Sequence, residues 1–254
     1  RDARTAQLLM NEVAAMRGLE HPNVVACRGA VFDPDAVDSL GNVLGLAIAL
    51  EFCSAGSLRT ALDQIRDAAG GGGGLSAAVV AELPPAAAAL VPWAGRLAAV
   101  CDVARGVAFL HAQNPPLLHC DLKADNVLLA VGAGGATVTA KVCDFGLSKS
   151  RQHSSSRGST AGSRRGTAAW TPPENFRPGA ARTEASDAWS LGCTAYEVAT
   201  LGYPFPGLDD NQLMFALCMD KASPDLALVP ANCPVELRDA MAACWAAEPA
   251  ARAS

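Results

Sequence analysis

The chain has 254 residues, half of them apolar and 18% charged, which is enough to bury a sizeable core and excludes wholesale disorder. A formal net charge of −5 argues against the basic face that a nucleic-acid footprint needs. No run of about 18 uncharged apolar residues and no secretory signal is present, so neither a membrane-spanning helix nor export is expected.

Nine cysteines lie scattered from Cys27 to Cys244, with none in a CxxC pair. Cys101 and Cys193 sit in apolar runs, where a free thiol behaves as a small buried hydrophobe. The pattern predicts a reducing, cytoplasmic setting with neither a disulfide framework nor a zinc site. The first residues, 3–18, carry Leu8, Leu9, Val13 and Met16 at helical spacing up to Gly18. The chain opens without Met inside this helix, which suggests a truncated start. His21-Pro22-Asn23-Val24-Val25 then turns into a strand. Val43 to Phe52 is a continuous apolar run with one acid, a second strand, and Gly56-Ser57-Leu58 opens a helix. Residues 68–95 are low-complexity, with five glycines at 70–74 and PPAAAALVP at 84–92, and read as a flexible surface spacer. Trp93 to His111 is predicted as an amphipathic helix on Leu97, Val100, Cys101, Ala104, Ala108 and Leu110.

The stretch 118–146 organises the rest. Val127, Leu128, Leu129 and Val131 form one predicted strand and Val138 to Val142 its partner, with Gly132, Gly134 and Gly135 between them. A hairpin folds its ends together, so Asn126 and Asp144 should lie side by side. Two side-chain oxygens meeting there suit a hard divalent cation that also needs phosphate oxygens. Asp121 would then accept or orient a hydroxyl proton. The plain alternative is that these acids are solvated loop residues.

From 146 to 170 the composition turns to Ser, Arg, Gly and Thr. Nine hydroxyl residues from Ser148 to Thr167 are phosphorylation candidates, none singled out. Ser186 to Leu201 is apolar almost all round and reads as a buried helix. Tyr203-Pro204-Phe205-Pro206 ends it.

His119-Cys120-Asp121-Leu122-Lys123-Ala124-Asp125-Asn126 resembles the catalytic loop H-R-D-x-K-x-x-N of the eukaryotic protein kinases, and Asp144-Phe145-Gly146 resembles D-F-G. The resemblance runs from Glu12 to Arg252 apart from the low-complexity insertion. It implies an α+β, protein-kinase-like two-lobe fold with a truncated N-lobe and a mainly helical C-lobe. Residues 1–53 would be the partial N-lobe and 54–254 the C-lobe, with the insertion at about 68–95.

The implied function is a protein serine/threonine kinase that transfers the ATP γ-phosphate to Ser and Thr hydroxyls of protein substrates. ATP and Mg²⁺ are the implied cofactors. Asn126 and Asp144 would hold the metal, Asp121 would orient or deprotonate the acceptor, and Lys123 would contact the γ-phosphate. Thr167 would sit beside Asp121 and Lys123 where the acceptor enters. Glu12 stands in the place of the helix glutamate that pairs with a strand lysine, though alone it also reads as a solvent-facing acid. Leu50 would be the gatekeeper, with Glu51, Phe52 and Cys53 offering backbone groups to adenine. His119 would orient the loop from the core.

Glu174, in Pro172-Pro173-Glu174, would pair with Arg252. Asp187-x-Trp189-x-x-Gly192 would mark the helix that carries the C-lobe, with Asp187 receiving loop N–H groups, acting as an N-cap, or both. Cys120 replaces an arginine that ordinarily grips an activation-segment phosphate, so activity is expected not to depend on a phosphate docked there. Details such as GTAAW and CW-x-x-x-P-x-x-R place the resemblance in the tyrosine-kinase-like group, near Raf and mixed-lineage kinases.

The Gly-rich loop and the strand lysine have no counterpart in the 254 residues. The chain alone is therefore expected to bind nucleotide poorly and to be weakly active. A pseudokinase acting as a binding or scaffolding module is the alternative. A small-molecule kinase would share the HxD…N…D logic but leave the PPE segment, the DxWxxG helix and the CW motif unexplained.

Overall fold

The computed structural model describes residues 13, 16–37, 43–70, 75–132, 137–145, 168–177 and 179–252, with backbone alone for 32–37 and 43–47. Strand β1 (Cys27–Val37) pairs antiparallel with β2 (Val43–Leu50). A second antiparallel pair, β3 (Val127–Val131) with β4 (Val138–Val142), runs in register from Val127 opposite Val142 to Val131 opposite Val138. The expected hairpin is therefore present, although its turn at 133–136 lies outside the described residues.

The two pairs meet through the HPN turn. Val25 N–H donates to Val142 O at 2.9 Å, Val142 N–H to Asn23 O at 2.9 Å, and Asn23 Nδ2 to Ala140 O at 3.0 Å. Val13 and Met16 are helical and buried, in keeping with the expected first helix, of which most other residues lie outside the described set.

Helix α1 (Leu58–Ala68) begins where the sequence says it should. Gly56 takes φ +74°, a conformation glycine adopts without a Cβ clash, and the Ser57 hydroxyl accepts the Thr60 N–H at 3.1 Å. Leu58, Leu62 and Ile65 lie on its inner face at full burial.

The spacer expected at 68–95 is corrected from Leu75 onward. Ser76 caps α2 (Ala77–Glu82), and α3 (Pro85–Ala89) starts with proline in its first turn, where the missing N–H costs nothing. Ala86, Ala87 and Leu90 join the main core with Leu58, Leu62, Val103 and Leu129. Small alanines let this segment approach closely, and composition alone cannot separate that packing from a loose linker.

Helix α4 (Trp93–His111) has the predicted bounds but not the predicted face. Its buried residues are Arg96, Ala99, Val103, Gly106, Val107 and Leu110, while Cys101 and Ala108 are exposed. The close neighbour of this face is backbone: a Cβ on Gly106 would lie 2.4 Å from Asn23 O. Small residues fill a tight seam that a search for large apolar side chains overlooks. Cys101 is accordingly an exposed thiol, not a buried one.

Helix α5 (Glu184–Thr200) is the central post, buried from Ser186 to Ala199 except at Leu191. Around it gather α6 (Asp210–Cys218) and α7 (Val235–Cys244) in a second core of Trp189, Cys193, Tyr196, Leu217, Met241 and Trp245. Gly192 is required by contact: a Cβ there would sit 2.7 Å from both Cys244 Cβ and Trp245 Nε1. The glycine of DxWxxG and the CW pair thus explain each other. The result is an α+β chain with its helices concentrated after residue 54.

Candidate active site

The site forms where the β3–β4 hairpin closes. Cys143 N–H donates to Asn126 O at 3.0 Å, so the residue after β4 returns to the residue before β3, with Asp144 next along the chain. Asp144 takes φ +62° and Phe145 is buried in the main core. Asn126 Nδ2 donates to Asp121 O at 2.7 Å and to Asp121 Oδ2 at 3.0 Å, and Lys123 Nζ lies 3.4 Å from the same Oδ2. Because the amide nitrogen is committed to Asp121, the amide oxygen of Asn126 is the end turned elsewhere.

The loop carrying these groups is gripped from below. Asp187, 1% exposed, accepts His119 N–H at 2.7 Å through Oδ2, Cys120 N–H at 2.8 Å through Oδ1, and the His111 ring at 2.9 Å. This is the loop-holding role expected of Asp187. The N-cap belongs instead to Thr183, whose N–H donates to the Ser186 hydroxyl at 3.1 Å. Cys120 adopts φ +64° and its carbonyl accepts from Arg182 Nη1, so the peptide groups on both sides of residue 120 are fixed, one from the first turn of α5 and one from the segment just before it.

His119 is fully buried, and desolvation pushes its pKa down despite the nearby Asp187 and Asp121. Neither ring nitrogen has a partner among the described residues, and the ring stands edge-on to Phe145 at 6.4 Å. A ring packed this way supports the loop from the core.

Glu197 was invisible to sequence reasoning because a single acid inside an apolar helix reads as an accident. It is 0% exposed. Its Oε2 accepts Ala124 N–H at 2.9 Å and Trp170 Nε1 at 2.8 Å, and Oε1 meets Arg59 Nη1 at 3.3 Å. Desolvation raises its pKa to about 7 against these donors. The signal that could have found it is the sheer cost of placing an ionisable group there.

At the edge of β2, Glu51 is engaged structurally. Lys141 Nζ lies 3.0 Å from Oε1, Ala26 N–H donates to Oε2, and the Glu51 N–H donates to Ala26 O at 2.8 Å. Burial alone would raise the Glu51 pKa, but Lys141 and the Ala26 N–H together hold it below its usual value. Of its two backbone groups, the N–H is already committed to the sheet. Cys53 is buried beside Val25 and Cys143, whereas Phe52 is 88% exposed and Leu50 38%. Glu12 and Thr167 lie outside the described residues.

The pair expected between Glu174 and Arg252 is present and bidentate, at 2.6 and 3.0 Å. Arg252 also donates to Ala185 O and Ala246 O and lies over the Trp189 ring.

An Asp-x-Lys-x-x-Asn loop closed by a hairpin onto a second Asp, and hung on a buried helix, defines a protein-kinase fold. The sequence signature of the protein tyrosine and serine/threonine kinase family matches residues 1–254, and the chain belongs to that family. Among similar proteins is serine/threonine-protein kinase CTR1 of Arabidopsis thaliana, 31% identical over 254 residues that cover 96% of this chain and 25% of the relative. Mitogen-activated protein kinase kinase kinase 10 of Mus musculus is 29% identical, covering 98% of this chain and 23% of the relative. Dual specificity protein kinase shkA of Dictyostelium discoideum is 32% identical over 165 residues, which cover 65% of this chain and 30% of the relative. The chain thus spans about a quarter of the length of the first two relatives. The likeness to CTR1 and to the mixed-lineage type agrees with the tyrosine-kinase-like group.

Proposed function

We propose that this chain carries the catalytic residues of a Mg²⁺-dependent protein serine/threonine kinase that uses ATP as phosphoryl donor. The observation that carries the reading is the shared hydrogen bonding of Asn126 Nδ2 with the backbone and side chain of Asp121, beside the junction where Cys143 returns to Asn126. It draws 121, 123, 126 and 144 into one neighbourhood.

Asn126 offers an amide oxygen and Asp144 a carboxylate, two hard oxygen donors that fit Mg²⁺ when phosphate oxygens complete its shell. When bound, the ion neutralises charge on the phosphate oxygens during transfer. Asp121, with its carboxylate held by Asn126 and Lys123, orients the acceptor hydroxyl and takes its proton. The hydroxyl oxygen bonds to the γ-phosphorus as the bond to the β–γ bridging oxygen breaks and ADP leaves. Lys123 supplies a point charge to the transferring group.

Thr167 lines the acceptor entrance in this reading, Glu12 serves the phosphates, and Glu51 and Cys53 serve adenine through backbone groups. The division into a partial N-lobe, 1–53, and a C-lobe, 54–254, belongs to the same reading. The lysine two residues after Asp121 favours Ser and Thr acceptors, and the names of the first two relatives agree. A cytoplasmic setting is supported by nine free thiols, and among the described residues no helix is long and apolar enough to cross a membrane.

The test is transfer of the γ-phosphate by the full-length protein to a randomised peptide library, followed by phosphoamino-acid analysis. Phosphoserine and phosphothreonine are expected, with loss of transfer in Asp144→Asn. Phosphotyrosine as the main product, or undiminished activity in that variant, would overturn the reading.

A further inference from the structure

Arg96, near the start of α4, is only 9% exposed, yet it is not matched by a carboxylate among the described residues. Its Nε donates to Leu90 O at 2.9 Å, and Nη1 donates to Val198 O at 3.4 Å and Ala199 O at 3.2 Å, in the last turn of α5. The guanidinium lies over the Trp93 ring at 4.9 Å. Carbonyls and a ring face carry no net charge, and the one titratable neighbour that bears on Arg96 is the Cys233 thiol, which burial pushes up and so keeps neutral. The third nitrogen, Nη2, has no partner among the described residues. Arg96 is also one wall of a cavity of about 300 Å³.

Capping α5 accounts for Nε and Nη1. It accounts neither for the third nitrogen beside a cavity nor for a buried cation without a counter-charge. The helix ends do not supply that charge. The carbonyl end of α5 brings roughly −0.5 of an elementary charge, and the N-terminus of α4 returns roughly +0.5. That N-terminus is bare: Pro92 offers no capping side chain, the first turn has no acid, and the N–H groups of Trp93 and Ala94 have no acceptor among the described residues. A site for negative charge is left.

We propose that this cavity binds a small carboxylate with an apolar body, its head group on Arg96 Nη2 and its body against Pro92, Trp93, Leu201 and Pro230. The walls select the class. A bare phosphate, a few water volumes at roughly 30 Å³ each, would leave most of the space unfilled and the apolar walls wet. The site is also preformed. Pro92 closes the 84–92 stretch that lies outside the kinase resemblance, and Ala89 O packs on Gly95 in the first turn of α4 where no Cβ would fit. Asn232 stands at the exposed rim. The inference is independent of the reading of 121–126 as the catalytic loop.

The experiment is calorimetric titration of the full-length protein at neutral pH with benzoate, benzamide and inorganic phosphate. Benzoate should bind saturably at one site, and benzamide, its neutral isostere, about tenfold or more weakly. Phosphate should bind more weakly than benzoate. Two variants locate the site, each checked by a thermal melt. Arg96→Gln removes the cation, and Asn232→Asp sets a competing carboxylate at the rim. Either should weaken benzoate binding by about tenfold or more.

Absence of saturable benzoate binding, or equal affinity for benzoate and benzamide, would overturn the proposal. So would parental affinity in the folded variants, which would put benzoate elsewhere on the protein. Tighter binding of phosphate than of benzoate would refute the ligand class. If Arg96→Gln does not fold, Asn232→Asp decides, and parental affinity there rejects the site.

Discussion

The 119–126 loop and the 50–53 segment are built by opposite means. The 119–126 loop is suspended from a buried helix by carboxylates at 1% and 0% exposure, and backbone N–H groups at 119, 120 and 124 have named side-chain acceptors. The 50–53 segment hangs on strand pairing and on one partly exposed ion pair, Lys141 with Glu51, while Phe52 projects into solvent. One is made rigid by buried polar groups that would be ruinous if unpaired. The other has little at stake in any single side chain. Fixed geometry in the loop comes with burial; the exposed segment does without it.

The largest effect that would sharpen this contrast is on turnover. Asp121→Asn should lower kcat by about 10³-fold, within the range for loss of a general base, with little change in melting temperature. A phosphotransfer assay beside a thermal melt checks it. Next comes Asp187→Ala, which strands two loop N–H groups and His111 at once. It should cost about 3–5 kcal/mol in denaturant unfolding, the scale for breaking a buried charged network by removing one partner.

A third effect is pH-dependent. The folded-state pKa of Glu197 is raised from 4.5 to about 7, chiefly by burial, against Arg59 on α1 and the N–H donors of Ala124 and Trp170, with Asp125 adding to the rise. Between those values the folded chain binds more protons than the unfolded one, so this group's stabilising contribution is full below about pH 4.5. It declines as pH rises through about 7. Stability of the parent relative to Glu197→Gln should thus fall by on the order of 3 kcal/mol across that window and be flat above it. Urea titrations at stepped pH test this, and a pH-independent difference would contradict it. The smallest effect belongs to the exposed segment: Phe52→Ser should move stability by less than about 0.5 kcal/mol. A larger loss would mean that the segment is held more tightly than its exposure indicates.

These contrasts also explain what could be read in advance. Hairpin ends and the α4 limits followed from local patterns, apolar runs separated by glycines and apolar positions at helical spacing, whereas the Glu174–Arg252 pair was legible only through the kinase resemblance. Asp187 was legible as part of DxWxxG. Glu197 and Arg59 were not, because their meaning depends on partners 138 residues apart and no local rule marks a buried ion pair. The 75–95 segment failed for the converse reason. Ala86 and Ala87 bury little area each, so composition resembles a linker while close approach makes them core. The face of α4 was misjudged likewise, since small Gly106 and Ala99 lie on its buried side and Cys101 on its outside.

The contact of Gly192 with Cys244 and Trp245, and of Arg252 with Glu174 and Trp189, has a practical corollary for dissection of this protein. Those last residues work as a buckle on the flank of the central post. An excised domain that stops before position 252 would leave Glu174 without its guanidinium and the post open along one side. Such a fragment should be captured by chaperones and trimmed by proteases long before its loss of turnover could be measured.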